Sequence, residues 1–586
     1  MTRKLMTFAA VMSCTLVLFT ACKNEVTPPV ESGEIVGNWY GEVTGKTYAL
    51  WNYGKVWQNT TFNADSTGRT EIYFFYDDVL LACEDDDFTY STANGELTMV
   101  LKDKQRTIQT RYSVKDGQLK LDNDEMTLSL AKTTEQMGKN FDEWSKKDSL
   151  INVPQPCKHT VFVYGNASGG MDDFIELGFW EAGKEFITDS SNVRVICMYK
   201  YGKDEGEGET PKYGNPGDVV WFELNSQTDL TKIKDEGMQS LGLTKEAQEL
   251  RLCNPNTVRF FMEISSLFCP AEQYSFVIWG HGSGFNPRND VPGKYDLTHP
   301  APHRAPQGVI YDEWLNNEEL DMYEFAAAIE ATGLKKFNTI FFHNCLMGNM
   351  ETLTQIRHYA DYIAASAHIL DSSGLLLSAF VEGLIKEGDA IKAAEIMFDK
   401  AYEGANNWPS GYTLNNGDFK LLRTDKLDAV LAAIKRLTDR LIALYPTKKT
   451  EIDEATEGVY GFVYKTGLPP VENPFYDIEN YALALRETTG DEEFATIYND
   501  LHNAFNDAIV ISRDVNNSRT VALEHYTLSV CLTTKKDYNA DYLSSGKYVS
   551  NFNTGYEQSE FHQLTGWGNW LNTNEQSVEK NPRCGD

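Results

Sequence analysis

Tyr274 to Trp279 and Phe337 to Phe342 are the stretches that most narrow what this chain can become. Each is short and almost continuously apolar, which reads as a buried strand. Each then stops abruptly, the first on Gly280-His281-Gly282-Ser283-Gly284 and the second on His343-Asn344-Cys345-Leu346-Met347. In an open parallel sheet, ligand and catalytic groups collect just beyond the carboxyl ends of the strands. Two such ends delivering His281 and Cys345 suit a thiol nucleophile with its base. A free cysteine is only a few per cent thiolate at neutral pH, and an adjacent imidazole raises that fraction and protonates a leaving amine. Gly282 allows close backbone approach, and its N–H, with that of Cys345, is suited to hold an oxyanion. The competing reading is a core thiol and a satisfied histidine that merely end two strands. It is preferred for either residue alone and yields to the pairing.

His281-Gly282-Ser283-Gly284 after one apolar strand, and Cys345-Leu346-Met347 with Glu351 after another, resemble the clostripain family of cysteine peptidases. The resemblance covers roughly residues 157–571. It implies a caspase-like fold, with His281 and Cys345 as the catalytic dyad. The family usually carries Asp two residues before the nucleophile, in the S1 pocket, where it selects Arg or Lys. Here that residue is His343, which does not pair with a guanidinium as a carboxylate does. The resemblance therefore implies a peptidase whose P1 preference is not the usual basic one, with His343 as the P1 reader. It also lays the residues around Ser366 along the substrate cleft. Met347 and Glu351 match family positions, with core packing and helix capping as their expected roles. The family's loop between the dyad members can be cut in self-activation. Arg288, Lys294 and Arg304 lie there, but without basic specificity cleavage at them is not expected. Calcium enters through the resemblance only; no cofactor is otherwise implied, and His299 and His303 read as ordinary loop residues.

The formal net charge of −32 over 586 residues argues against nucleic acid or an anionic membrane surface as partner. A peptide or protein substrate is the implied partner, and the oligomeric state is not readable. Residues 1–21, with Arg3 and Lys4 before an apolar run, read as a signal peptide. Phe19-Thr20-Ala21-Cys22 resembles a bacterial lipobox, which implies lipidation of Cys22 and residues 22–33 as a tether. A plain secretory signal is the alternative. The expected location is the bacterial envelope, at the outer membrane, held through a lipid anchor only. The eight remaining cysteines lack C-x-x-C spacing, so a structural zinc site is not expected and any disulfide pairing stays open.

Residues 34–132 carry short β-rich runs separated by turn signals at Asn94-Gly95 and Asp116-Gly117, and read as a small all-β barrel or sandwich. Gly37 to Gly41 resembles the opening of lipocalin-like domains of bacterial lipoproteins. The acidic cluster at Asp77, Asp78 and Glu84 to Asp87 reads as a solvated turn rather than a calcium loop. Residues 133–156 form a linker. From residue 157 strands and helices alternate, as in a mostly parallel sheet flanked by helices. Thr160–Tyr164, Val193–Tyr199 and Asp361–His368 are further expected strands. The segment from Cys345 to His358 is an expected helix that starts near the sulfur, and Tyr526–Thr533 an expected late strand. Residues 572–586 form a tail.

Three functions fit these features. The first is an exported, lipid-anchored cysteine endopeptidase. The second is a surface binding lipoprotein that keeps the peptidase fold without turnover. The third is a thiol hydrolase acting on another amide.

Overall fold

The computed structural model describes residues 35–42, 55–76, 79–102, 106–122, 127–133, 156–167, 171–172, 175–176, 178–179, 192–202, 217, 219–224, 252–282, 284–285, 309–312, 318–368, 370, 376–403, 416–457, 459, 475–516, 527–532 and 556–574. The chain divides into two compact units. The signal, Cys22 and its tether, most of the linker, and the loop carrying Arg288, Lys294, His299, His303 and Arg304 lie outside the described residues.

The first unit is a closed antiparallel barrel, not a sandwich. Its strands are β1 (Gly37–Glu42), β2 (Lys55–Phe62), β3 (Thr67–Tyr76), β4 (Val79–Ala93), β5 (Glu96–Leu101), β6 (Arg106–Lys115), β7 (Gln118–Asp122) and β8 (Thr127–Thr133), paired in chain order with β8 returning to β1. Alternation fills the interior: Leu97, Met99 and Leu101 on β5, Leu119 and Leu121 on β7, and Leu128 and Leu130 on β8 are buried while their neighbours face outward. Asn94-Gly95 and Asp116-Gly117 both have positive φ at the two central positions, the tight turn that matches strand twist. Of the acidic residues expected in a turn, Glu84 to Asp87 lie instead inside β4, and Asp77 and Asp78 fall outside the described residues. Exposed Asp87 stands opposite Arg69 at 3.3 Å, and an outward strand face accepts such charges.

The second unit holds β9 (Cys157–Asn166), β10 (Val193–Lys200), β11 (Val219–Leu224), β12 (Ala271–Trp279), β13 (Ile310–Asp312), β14 (Glu318–Leu320), β15 (Phe337–His343), β16 (Ala360–Ser366), β17 (Asn416–Arg423), β18 (Phe475–Asp477), β19 (Ile509–Asn516) and β20 (Ser529–Cys531). Its main sheet runs β11-β10-β9-β12-β15-β16-β17-β19. The five central strands are parallel; β11 and β17 run against them, and β19, antiparallel to β17, runs with them again. The described helices are α1 (Pro255–Phe268), α2 (Met322–Ala331), α3 (Met350–Ile356), α4 (Leu377–Glu387), α5 (Ala390–Glu403), α6 (Leu427–Glu457), α7 (Ile478–Thr489), α8 (Glu492–Ala508), α9 (Glu560–Thr565) and α10 (Trp567–Thr573). One face of the sheet packs on α4, α5 and the helical turn around Ile175. The other sets Phe162 and Phe276 edge-on to Phe261 of α1, and Phe276 tilted against Phe325 of α2. Covered on both faces, the central strands are apolar almost throughout, which is why they were legible as continuous runs.

Two local expectations fail, and two strands were not foreseen. The helix after Cys345 begins only at Met350, where Asn349 caps it by accepting the Thr352 N–H at 2.8 Å. Of the expected late strand, whose end residues Tyr526 and Thr533 lie outside the described residues, only Ser529–Cys531 is extended, as β20, which pairs with β18. Strands β17 and β19 went unread, the latter because it begins directly where α8 ends.

Candidate active site

The site is built on the pairing of β12 with β15. These are parallel neighbours in which Val277 faces Phe341 and Trp279 faces His343, the last register pair. His281 and Cys345 each stand two residues beyond that pair, so the two strand ends leave the sheet level with one another. Strand alternation puts Val277 and Trp279, and Phe341 and His343, on the same face. Val277, Trp279 and Phe341 belong to the core cluster against which Cys345 packs. The loops beyond touch closely. A Cβ at Gly282 would come within 2.7 Å of Asn344 Cβ and 2.9 Å of the Cys345 carbonyl oxygen, so only glycine allows this approach.

Past the sulfur the chain makes a strained elbow. Leu346 has φ +64°. The other described non-glycine residues with positive φ are Ser66, Asn94 and Asp116, small polar types suited to turns. A left-handed leucine costs about 1–2 kcal/mol and persists only where its surroundings hold it. Here they do. The Leu346 N–H donates to His368 O at 3.0 Å, the Gly348 N–H donates to Ser366 O at 2.7 Å, and Asn349 Nδ2 donates to Leu346 O at 2.8 Å. Sγ of Cys345 accepts the Leu370 N–H at 3.3 Å, and the thiol lies 3.7 Å from Leu370 O. A backbone N–H therefore reaches the sulfur, where the sequence had suggested a helix end.

Asn344, which sequence reasoning passed over, ties the two loops together. Its buried Nδ2 donates to Gly280 O at 2.9 Å, Val309 O at 3.1 Å and His281 O at 3.4 Å. Its Oδ1 is buried without a hydrogen-bond partner. The residue between a strand end and a half-exposed cysteine is the only signal that could have marked it.

His343 is 3% exposed and stacks on Trp279, with ring centroids 4.2 Å apart. Burial pushes its pKa down to about 3, so the imidazole is neutral. Ser366 departs from expectation. It is fully buried, and its hydroxyl donates to Asp418 Oδ1 at 2.7 Å and lies 3.1 Å from His368 O, so the side chain is spent inside the protein instead of lining a cleft. Met347 is buried core, as expected. Glu351 does not cap its helix. Its Oε1 accepts the Cys531 N–H at 2.9 Å and the Tyr556 hydroxyl at 2.6 Å, and burial pushes its pKa up to about 7 against those bonds. Among the described residues, no group of three or more His, Cys, Asp or Glu side chains is gathered to hold a metal ion.

A mixed sheet with a parallel centre, flanked by helices, follows the caspase-like plan, with a cysteine and a histidine presented on adjacent strand ends. Residues 184–573 match the clostripain family, and the chain belongs to that family: it is a cysteine peptidase, a hydrolase. Among solved structures it is similar to a secreted C11 cysteine protease from Bacteroides thetaiotaomicron in complex with an irreversible peptide inhibitor. The identity is 14% over 70% of this chain and 99% of that one, with a TM-score of 0.44. It is also similar to an inactive zymogen C11 protease from Parabacteroides distasonis, at 15% identity over 70% and 99% of the two chains, with a TM-score of 0.44. No curated protein matches.

Proposed function

We propose that the chain is an exported endopeptidase that works through a His281/Cys345 dyad. The level exit of β12 and β15 carries the reading, since it sets the two residues at matching positions on touching loops. Cys345 Sγ attacks the scissile carbonyl carbon, and a tetrahedral oxyanion forms. The N–H groups of Gly282 and Cys345 stabilise that oxyanion. His281 takes the thiol proton and gives it to the departing amine as the C–N bond breaks. Water then hydrolyses the thioester, releasing the acid and restoring the thiol.

His343 is the P1 reader in this proposal. A neutral imidazole on Trp279 offers a P1 guanidinium or ammonium no opposite charge, so the enzyme prefers uncharged P1 side chains. Cys22 carries the lipid that holds the enzyme at the bacterial outer membrane. The test is a P1 scan with fluorogenic peptides on wild type and His343→Asp. Wild type should pass over Arg and Lys, and His343→Asp should gain at least about tenfold on Arg, the scale of a charge-assisted hydrogen bond. Wild-type cleavage after Arg that His343→Asp does not improve would refute the pocket assignment. No cleavage of any peptide, with Cys345 inert to a peptide electrophile, would favour a binding lipoprotein.

A further inference from the structure

The last turn of strand β16 is held from behind by a buried ion pair on β17 that the proposed chemistry does not use. Asp418 and Lys420 have side chains 0% and 1% exposed, with Nζ 2.8 Å from Oδ2. The other carboxylate oxygen, Oδ1, accepts the Ser366 hydroxyl at 2.7 Å and the His368 N–H at 2.9 Å. From that anchored segment two bonds run forward to the nucleophile. His368 O accepts the N–H of left-handed Leu346, and the Leu370 N–H reaches Cys345 Sγ at 3.3 Å. Burial pushes the Asp418 carboxyl up, but Lys420, His368 and the Ser366 hydroxyl outweigh it and hold it below its usual range, so it accepts as an anion.

We infer that Asp418 is a positioning residue for the thiolate: it fixes Ser366 and His368 so that the Leu370 N–H stays on Cys345 Sγ and the Leu346 elbow stays closed. The inference rests on the proposal that Cys345 is the nucleophile. A buried ion pair is a costly way to hold a strand, and apolar residues of similar volume often replace one without loss of stability. Its distinctive contribution here is the acceptor that Asp418 offers to the strand end. A donor to the charged form of a thiol favours the thiolate, and its loss returns the sulfur toward the thiol.

Two double variants of the full chain separate these roles. Asp418→Leu with Lys420→Met removes both charges and the acceptor. Asp418→Asn with Lys420→Met removes both charges but keeps an acceptor for the His368 N–H. The titratable groups on the surrounding strand ends are His281, His343, His368, the buried Lys200–Asp312 pair, Asp514 and Arg513 of β19 in register opposite Asp418 and Phe419, and the Asp418–Lys420 pair itself, and only that last pair changes. The readouts are the pH midpoint of Cys345 alkylation by iodoacetamide and the split between kcat and KM. The Leu/Met chain should show a midpoint about one unit higher, a tenfold smaller thiolate fraction, with a similar fall in kcat and little change in KM. The Asn/Met chain should keep the wild-type midpoint. If the Leu/Met chain does not fold, Asp418→Ala with Lys420→Met carries the same expectation. Equal midpoints in the two doubles, with Cys345 still reactive and hydrolysis intact, overturn the anchor while leaving the dyad standing. Hydrolysis that survives Cys345→Ala removes the dyad, and this inference with it.

Discussion

The main sheet carries a cysteine and a histidine at both of its ends, and the two ends behave oppositely. At the amino end, Cys157 and His159 open β9 beside Ser275 of β12. There His159 Nε2 lies 2.8 Å from the Ser275 hydroxyl, Thr160 donates to Cys269 O at 2.8 Å, and the Cys157 sulfur lies 3.3 Å from the Thr160 hydroxyl. Cys157 and His159 are 2% and 5% exposed. Burial, only partly offset by Gln273, pushes the His159 pKa down to about 4. At the carboxyl end Cys345 and His281 are half-buried, one of them beside a strained elbow. The residue types are the same and the sheet is the same. What differs is that one set is closed in by hydrogen-bonded neighbours and core, while the other sits where strands leave the sheet, the place where ligands gather in an open parallel sheet.

The largest effect expected from this contrast comes from exchanging the two thiols for alanine in turn. Cys345→Ala should lower kcat by at least about a thousandfold, as loss of a nucleophile does. Cys157→Ala should leave kcat alone and cost about 1 kcal/mol of stability through the vacated volume. Steady-state rates and urea melts on the same two proteins decide it. A rate lost equally in both would erase the distinction between the ends.

The parts of the site that the sequence disclosed are those set by local pattern. Continuous apolar runs ending on His281 and Cys345 are visible because both faces of those strands are covered, and the turns at Asn94-Gly95 and Asp116-Gly117 are visible because few residue types take positive φ twice in a row. What stayed hidden depends on partners far along the chain. Asp418 and Lys420 make β17 look like a polar loop, and only their mutual burial against Ser366 reveals a strand. The helix expected straight after Cys345 was displaced by Gly348, where a Cβ would meet the Ala367 nitrogen at 2.5 Å, so the loop is pressed onto β16 before Asn349 can begin a helix. Asn344 and Leu370 act through the Gly280, His281 and Val309 carbonyls and the sulfur, contacts that need the register of β12, β15 and β16 to be known.

A middle-sized effect is expected at the point where the carboxyl ends touch. Gly282→Ala introduces a methyl 2.7 Å from Asn344 Cβ and 2.9 Å from the Cys345 carbonyl oxygen, and neither is the far end of a flexible side chain. The His281 loop must therefore move away from the Cys345 loop. A displacement of that order costs about a hundredfold in rate when it separates reacting groups. The fall should be in kcat, with melting little changed. Gly165, the next-to-last residue of β9 and level with Trp279, has Tyr199 Cδ2 at 3.2 Å from its ideal Cβ, and Gly165→Ala should disturb packing more than turnover.

The smallest effect belongs to the amino end and is read in stability rather than rate. A buried neutral histidine resists protonation when folded, with a pKa of about 4, whereas the unfolded chain takes the proton near 6.5. The folded pKa is the lower one, so the unfolded state binds more protons as pH falls. Stability is complete above about 6.5 and drains away as pH drops through 4. Between pH 7 and pH 5 the loss from this one residue is about 2 kcal/mol. His343, lowered to about 3, acts in the same direction over a wider window. Glu351 acts in the opposite direction. Its carboxyl is raised from 4.5 to about 7, so its contribution is present at low pH and lost as pH rises through 7. His159→Gln keeps a hydrogen-bonding group beside Ser275 but does not titrate. Urea melts at pH 7 and pH 5 should show wild type losing about 2 kcal/mol more than the variant, while kcat at pH 7 stays the same for both. An unchanged acid limb would mean that His159 is not neutral in the folded protein. A lowered kcat would mean that the closed end of the sheet reaches the open one after all.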